Sequence, residues 1–154
     1  MIIPARSLPS YQFINEAERG GIIVDVRSPG EFDQGHILGA LSWPLFNNSE
    51  RAEIGTLYKQ KSREKAVDLG LHIIGPKMKE MAQWGRSLFE GQTSSASSPS
   101  RTPLLIYCWR GGMRSESVAW LLRTAGVPTV VLEGGYKAFR TYARSEFDRK
   151  IDFA

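Results

Sequence analysis

Leu104-Leu105-Ile106-Tyr107-Cys108-Trp109-Arg110-Gly111-Gly112-Met113-Arg114-Ser115 is the stretch that decides the fold. Its apolar opening, Leu104 to Tyr107, predicts a strand buried on both faces, and the glycine-bearing segment from Cys108 predicts a tight loop. From about Arg114 to Ala125, Val118, Leu121, Leu122 and Ala125 recur on one helical face. Gly126 supplies the C-cap and Pro128 blocks continuation. Thr129 to Leu132 then reads as another strand. Strand, loop, helix, strand is a βαβ unit, so the fold class is α/β, a parallel sheet with helices on both faces.

Working outward, Ile22 to Val26 is a β-branched run between glycines and Ser28-Pro29-Gly30, as expected of an interior strand. Before it, Phe13, Ile14 and Ala17 predict a short helix from Ser10, acting as N-cap, to Arg19. After it come a short strand at Leu41 to Trp43, ended by Pro44, and a helix from Ser49 to Gln60. Residues 62 to 90 read as largely helical with a break at Gly75-Pro76, and a last helix from Tyr136 to about Lys150 places Phe139, Tyr142, Ala143 and Phe147 on one side. The Ser-rich segment at about 92–102 has nothing to bury and is expected to be a flexible loop.

The 154 residues suit one domain, and 42% hydrophobic with 23% charged residues is the balance of a folded globular chain. No apolar run approaches the roughly 20 residues that span a bilayer, and the N-terminus lacks a secretory pattern, so no membrane partner and a cytoplasmic location are expected. One cysteine forms no internal disulfide and no structural zinc site, so no metal is expected and the thiol is free. The charge is uneven: residues 1–77 hold nine Lys/Arg against nine Asp/Glu, and residues 78–154 eleven against seven. The basic half, which contains Cys108, suits an anionic partner, and Arg123, Lys137, Arg140 and Arg144 are expected to form a nucleic-acid-facing surface.

In a parallel α/β sheet the ligand site lies beyond the carboxyl ends of the strands, where Cys108 falls. Gly111 and Gly112 let the backbone curl so that successive N–H groups point inward, and the following helix adds its positive end. A thiolate there is stabilised by the helix terminus and by Arg110 and Arg114, so Cys108 is the expected nucleophile. Trp109, Arg110, Gly111, Gly112, Met113 and Arg114 form the expected anion-binding loop. The alternative for Cys108 is a small buried hydrophobe, for either arginine a solvent-facing residue or a partner of Glu116 or Glu133, and for Trp109 packing rather than base stacking. His36, in Gly-His-Ile, fits a turn histidine bonded to backbone better than an acid–base group.

Asp25-Val26-Arg27, Glu31-Phe32, Gly35-His36-Ile37, Gly39-Ala40, the Cys108–Ser115 loop and Leu132-Glu133-Gly134-Gly135 together resemble the signatures of rhodanese-like domains, over residues 22 to 140. With Glu50-Arg51-Ala52-Glu53, Gly55 to Gln60, Leu69-Gly70-Leu71 and Glu133 to Arg140, the closer resemblance is to the rhodanese domain of the tRNA 2-selenouridine synthase family. The resemblance implies that Cys108 carries sulfur or selenium as a persulfide or selenopersulfide. It also implies selenophosphate or a thiosulfate-like donor, with no separate cofactor. The acceptor implied is wobble 2-thiouridine in tRNA, by way of a geranylated intermediate. By motif, Asp25, Arg27, His36 and Gly70 become supporting residues. The family's C-terminal P-loop domain has no counterpart in these 154 residues, which hold no G-x-x-x-x-G-K-[ST], so a separate P-loop domain is an expected partner. Two other readings stay open. Cys108-x5-Arg114 also satisfies the cysteine-phosphatase loop, although Tyr107 stands where a histidine often precedes that cysteine. The other is a non-catalytic binding module.

Overall fold

The computed structural model describes residues 6–92 and 101–151. Five strands, β1 (Arg6–Leu8), β2 (Ile23–Asp25), β3 (Leu41–Ser42), β4 (Leu104–Tyr107) and β5 (Thr129–Leu132), form one sheet in the order β1-β5-β4-β2-β3. Every neighbouring pair is parallel. The interior strands β2, β4 and β5 are buried along their whole length, which is why their sequences run apolar without alternation.

Among the described residues seven α-helices surround the sheet: α1 (Ser10–Glu18), α2 (Pro29–Gln34), α3 (Asn48–Gln60), α4 (Arg63–Ile74), α5 (Met78–Glu90), α6 (Met113–Thr124) and α7 (Gly135–Ile151). Successive residues of β4 face opposite layers. Leu104 and Ile106 join Val24, Val26, Met81, Val118 and Leu122 under α4, α5 and α6. Leu105 and Tyr107 join Leu8, Phe13 and Val130 under α1 and α7. Trp43 and Trp84 stack with centroids 4.3 Å apart, fastening α5 to the chain just after β3.

The two interior strands after residue 100 coincide with the sequence expectation, and the helix ends shift by a residue or so. The structure differs from that expectation in four places. β1 was not foreseen: three residues long and hydrogen-bonded on one side only, to β5, it carries too little apolar pattern to be read. α2 has no counterpart in the sequence expectation, which reads Ser28-Pro29-Gly30 only as the boundary of the preceding strand. Ser28 and Glu31 nevertheless form a capping box, and Pro29 at its first position needs no N–H partner. Ser10 is the first residue of α1 rather than its cap, and no side chain caps that end. On α7, Phe147 is exposed, beyond the layer that holds Phe139.

Residues 93–100, most of the expected flexible loop, lie outside the described residues. Its flanks are clasped, since Thr102 N–H and Oγ1 donate to Gln92 Oε1 (3.0 and 2.9 Å) and Gln92 Nε2 donates to the Thr102 carbonyl (2.9 Å). Among the described residues no helix is long and apolar enough to cross a membrane.

Leu122 is fully buried between α6 and the sheet, and its Cδ2 occupies the space that the missing side chain of Gly85 leaves on α5. Leu122→Ala is expected to cost about 2–5 kcal/mol in urea denaturation, and a loss under about 1 kcal/mol would mean that the α5–α6 seam closes over the gap.

Candidate functional site

Because the sheet is parallel, the ends of β2, β4 and β5 reach the same edge, and the chain builds its site there. Cys108 directly follows β4, the middle strand, and is buried. Its Sγ lies 3.1 Å from Ser115 Oγ, which in turn lies 3.2 Å from the Gly112 carbonyl. That carbonyl only accepts, so with Ser115 donating to it the thiol S–H donates to Ser115. When Cys108 is a thiolate, the hydroxyl can turn and donate to sulfur. Ser115 is therefore a partner of the nucleophile to which the sequence reading gave no role. It sits in the first turn of α6.

The loop's curvature depends on glycine at defined points. Gly111 has φ +72°, a conformation that L side chains rarely adopt. The segment after β5 packs backbone against backbone on the loop: Tyr136 N–H donates to the Cys108 carbonyl (2.9 Å) and Lys137 N–H to the Trp109 carbonyl (3.0 Å). A methyl group on Gly135, φ +61°, would lie 2.6 Å from both the Cys108 carbonyl oxygen and Gly111 N. The first turn of α7 is thus docked onto the cysteine loop, and the glycines of Leu132-Glu133-Gly134-Gly135 make that approach possible.

Asp25 and Arg27, at the end of β2, form a buried fork, with Arg27 Nε and Nη2 donating to the carboxylate at 2.7–3.1 Å. Arg27 Nη2 also donates to the Gly35 carbonyl at 2.7 Å, and the guanidinium lies over the rings of Tyr136 and Tyr107, 4.2 and 5.5 Å from their centroids. Burial penalises the Arg27 charge, but the Asp25 hydrogen bonds and charge outweigh it and hold the guanidinium's pKa above its ordinary value. Burial, reinforced by the Asp25 carboxylate, pushes the Tyr107 phenol well up, so it stays neutral and accepts from Ile37 N–H at 3.1 Å. Asp25 and Arg27 therefore sit in the scaffold behind the loop.

The remaining expected residues divide. Arg114 is bidentate to Glu31 (2.7 and 3.3 Å), not paired with Glu116 or Glu133, and Glu31 also holds Arg51 at 3.3 Å. Arg110 is exposed and makes no ion pair among the described residues. His36 is exposed, stacked on Phe32 at 3.6 Å, and its Nδ1 donates to the Phe32 carbonyl at 2.9 Å, the backbone-bonded turn histidine rather than a group facing Cys108. Gly70 and Met113 line an apolar cavity of about 140 Å³ whose wall includes Phe46, Leu71 and Arg114. A larger polar cavity of about 410 Å³ opens between Trp109, Tyr136, Arg27, Arg51 and Arg140. Trp109 is half-buried and tilted against Tyr136, with centroids 6.1 Å apart.

The expected basic surface needs a correction. Lys137, Arg140 and Arg144 are exposed at helical spacing on α7. Arg123 is on α6, across the sheet from α7, half-buried, with Nη1 lacking a hydrogen-bond partner.

Burial raises the Glu31 carboxyl's pKa, but the hydrogen bonds and charge of Arg114, with Ser28 and Arg51, more than offset this and hold it below its ordinary 4.5. With the folded value under the unfolded one, its contribution to stability is present above about pH 4.5 and is lost as pH falls through the lower, folded value. Glu31→Gln, which takes up no proton, is expected to flatten the stability profile in that acid window. Urea denaturation between about pH 3 and 7 reads this, and an unchanged slope would mean that the Glu31–Arg114 pair contributes nothing.

The rhodanese-like domain model matches residues 11–142. The chain is similar to the tRNA 2-selenouridine synthases of Bdellovibrio bacteriovorus, 42% identical over 123 residues covering 78% of this chain and 30% of that protein, and of Shewanella denitrificans, 36% over 137 residues covering 88% and 35%. It thus spans about a third of the length of these curated relatives. Among solved structures it is similar to the N-terminal domain of a protein from Clostridium difficile 630 described as ATP/GTP binding. There the identity is 37%, the TM-score 0.74, and the match covers 89% of this chain and 98% of that one. A reductase from Leishmania major, 13% identical with a TM-score of 0.56, shares the fold alone. With a match that runs from the first helix into the last, and a cysteine loop closed by the segment after β5, the chain belongs to the rhodanese-like domain family.

Proposed function

We propose that this domain carries a sulfur or selenium atom on Cys108, as a persulfide or selenopersulfide, within a tRNA 2-selenouridine synthase-like reaction. The observation that carries the reading is the position of Cys108: the only cysteine, buried at the end of the middle strand, hydrogen-bonded to Ser115, and followed by a glycine loop that runs into the N-terminus of α6. The names of the similar proteins supply the acceptor, a tRNA uridine, and the chalcogen, selenium.

With a thiosulfate-like donor, the Cys108 thiolate attacks the outer sulfur. The new Cys108–S bond forms as the donor's S–S bond breaks, and the bonding pair leaves with sulfite. The terminal anion left on Cys108 faces the backbone N–H groups of residues 109–114 and the positive end of α6. A selenium donor of the same type, selenosulfate, loads by the same exchange: the Cys108–Se bond forms as the donor's Se–S bond breaks, the pair leaves with sulfite, and Cys108–S–Se⁻ results. Selenophosphate, with selenium at the selenide level, suits the acceptor step instead. Arg114 supports that anion in concert with Glu31, and Arg110 adds uncompensated charge at the rim. The acceptor step, on a tRNA uridine, calls on a P-loop domain as partner and on the cytoplasm as the compartment where thiols stay reduced.

The phosphatase reading keeps its five-residue spacing, but Tyr107, standing where a histidine often precedes that cysteine, is a buried neutral phenol. The binding-module reading leaves the intact cysteine loop without a use.

Mass spectrometry of the purified domain, after incubation with thiosulfate and separately with selenosulfate, tests the proposal. Wild type is expected to gain one sulfur or one selenium atom, and Cys108→Ser to gain none. Adducts from neither donor, together with hydrolysis of an aryl phosphate, would replace this reading by the phosphatase one. Arg114→Ala is expected to slow loading roughly a hundredfold, and an unchanged rate would remove that residue from the anion's support.

A further inference from the structure

The polar cavity beside the cysteine loop has no part in loading a chalcogen onto Cys108. At about 410 Å³ it falls within the roughly 300–1,000 Å³ of small-molecule sites. Buried Arg27 lies at its base, exposed Arg51 and Arg140 stand at its mouth, and the rings of Trp109 and Tyr136 border it. Its charge is unbalanced. Arg27 is matched by Asp25, Glu31, the one carboxylate in the cavity's own lining, is shared between Arg51 and Arg114, and Arg140 has no hydrogen bond or ion pair among the described residues.

A simple anion would use the arginines and leave the rings idle, and an aromatic compound would do the reverse. A nucleotide uses both, since its base stacks on aromatic faces while its phosphate meets a guanidinium. Lys137, Arg140 and Arg144, exposed at positions i, i+3 and i+7 of α7, set three positive charges in a line along one face of that helix, with Arg140 in the cavity wall. Such a line fits a strand's successive phosphates better than one free nucleotide, and the strand must be single, because a duplex hides its base faces.

We propose that this cavity is a nucleotide site for single-stranded RNA. The base stacks against Trp109 and Tyr136, its phosphate lies at Arg140 and Arg51, and neighbouring phosphates follow Lys137 and Arg144. The assignment rests on the proposed function only in taking the bound base as the acceptor that the adjacent loop serves.

The probe is a fluorescein-labelled single-stranded oligouridylate, read by anisotropy across a salt series. Competitors are uridine monophosphate, inorganic phosphate and an RNA duplex of the same length. Arg140→Ala is expected to weaken binding about fivefold or more and to lower the salt slope by about one. Trp109→Leu is expected to weaken it roughly tenfold. Lys150→Ala, the same charge change at the far end of α7, serves as the control and should stay within about twofold. Equal losses in Arg140→Ala and Lys150→Ala, or tight binding of the duplex, would overturn the site. Uridine monophosphate binding as tightly as the oligomer would overturn the strand in favour of a free nucleotide, and phosphate alone competing as well would overturn the role of the base. Wild-type loading by mass spectrometry is measured alongside. Arg140-dependent RNA binding without loading upholds this site and removes the chalcogen reading, while loading without such binding does the opposite.

Discussion

The buried fork between Asp25 and Arg27 is the interaction on which the business end of this domain depends. An arginine 2% exposed is tolerable only with its charge matched and its buried donors engaged, and the chain engages Nε and Nη2 with one carboxylate and one carbonyl and covers the guanidinium with two aromatic faces. Each of those partners belongs to a different piece of the site. Asp25 ends β2, the Gly35 carbonyl ends α2, Tyr107 precedes the nucleophile, and Tyr136 opens the helix docked on the loop. One guanidinium thus ties together four segments that the parallel sheet merely brings to the same edge. Removing either charge would leave the other buried alone, which is why the pair behaves as a unit and why neither member is free to act on substrate.

Glycine works in the opposite sense, by absence. The carbonyls of Cys108 and Trp109 accept from the first N–H groups of α7, and this close backbone approach leaves no room for a side chain at Gly135. The loop is held from outside by main chain and from inside by the Ser115–Gly112 contact. Its geometry therefore owes little to the identity of Trp109, Arg110 or Met113, whose side chains are left to face the surroundings.

Local pattern made much of this legible. The runs Leu104 to Tyr107 and Thr129 to Leu132 are long and bounded by glycine, proline and polar residues, so they state their own ends. Cys108 stood out because it is a single cysteine at a strand-to-helix junction. Apart from α2 and the uncapped start of α1, the misses are non-local. β1 exists only through pairing with β5, more than 120 residues away in the chain. The partner of Arg114 is 83 residues distant, whereas the expected partners Glu116 and Glu133 were chosen for nearness in sequence. Arg123 was grouped with the α7 arginines by position in the chain, and the sheet that separates them has no signature in either helix. Phe147 continues the apolar spacing of α7 past the point where the layer beneath ends. Periodicity shows which face is apolar but not how far the protein extends under it.

The electrostatics of the site follow from how its arginines are shared out. Five of them, Arg27, Arg51, Arg110, Arg114 and Arg140, lie on the cysteine loop or the polar cavity beside it, against two carboxylates, Asp25 and Glu31. Asp25 cancels the buried one, and Glu31 is divided between two, so a positive surplus falls on the exposed Arg110 and Arg140. Those two flank the loop on the solvent side, one on the loop itself and one on α7. An approaching anion is therefore drawn by charges that are exposed and not yet spoken for, while the arginine nearest the start of α6 is already held in place by Glu31. Fixing Arg114 in this way trades attraction for position: its charge is partly spent before any ligand arrives, but its guanidinium needs no reordering when one does.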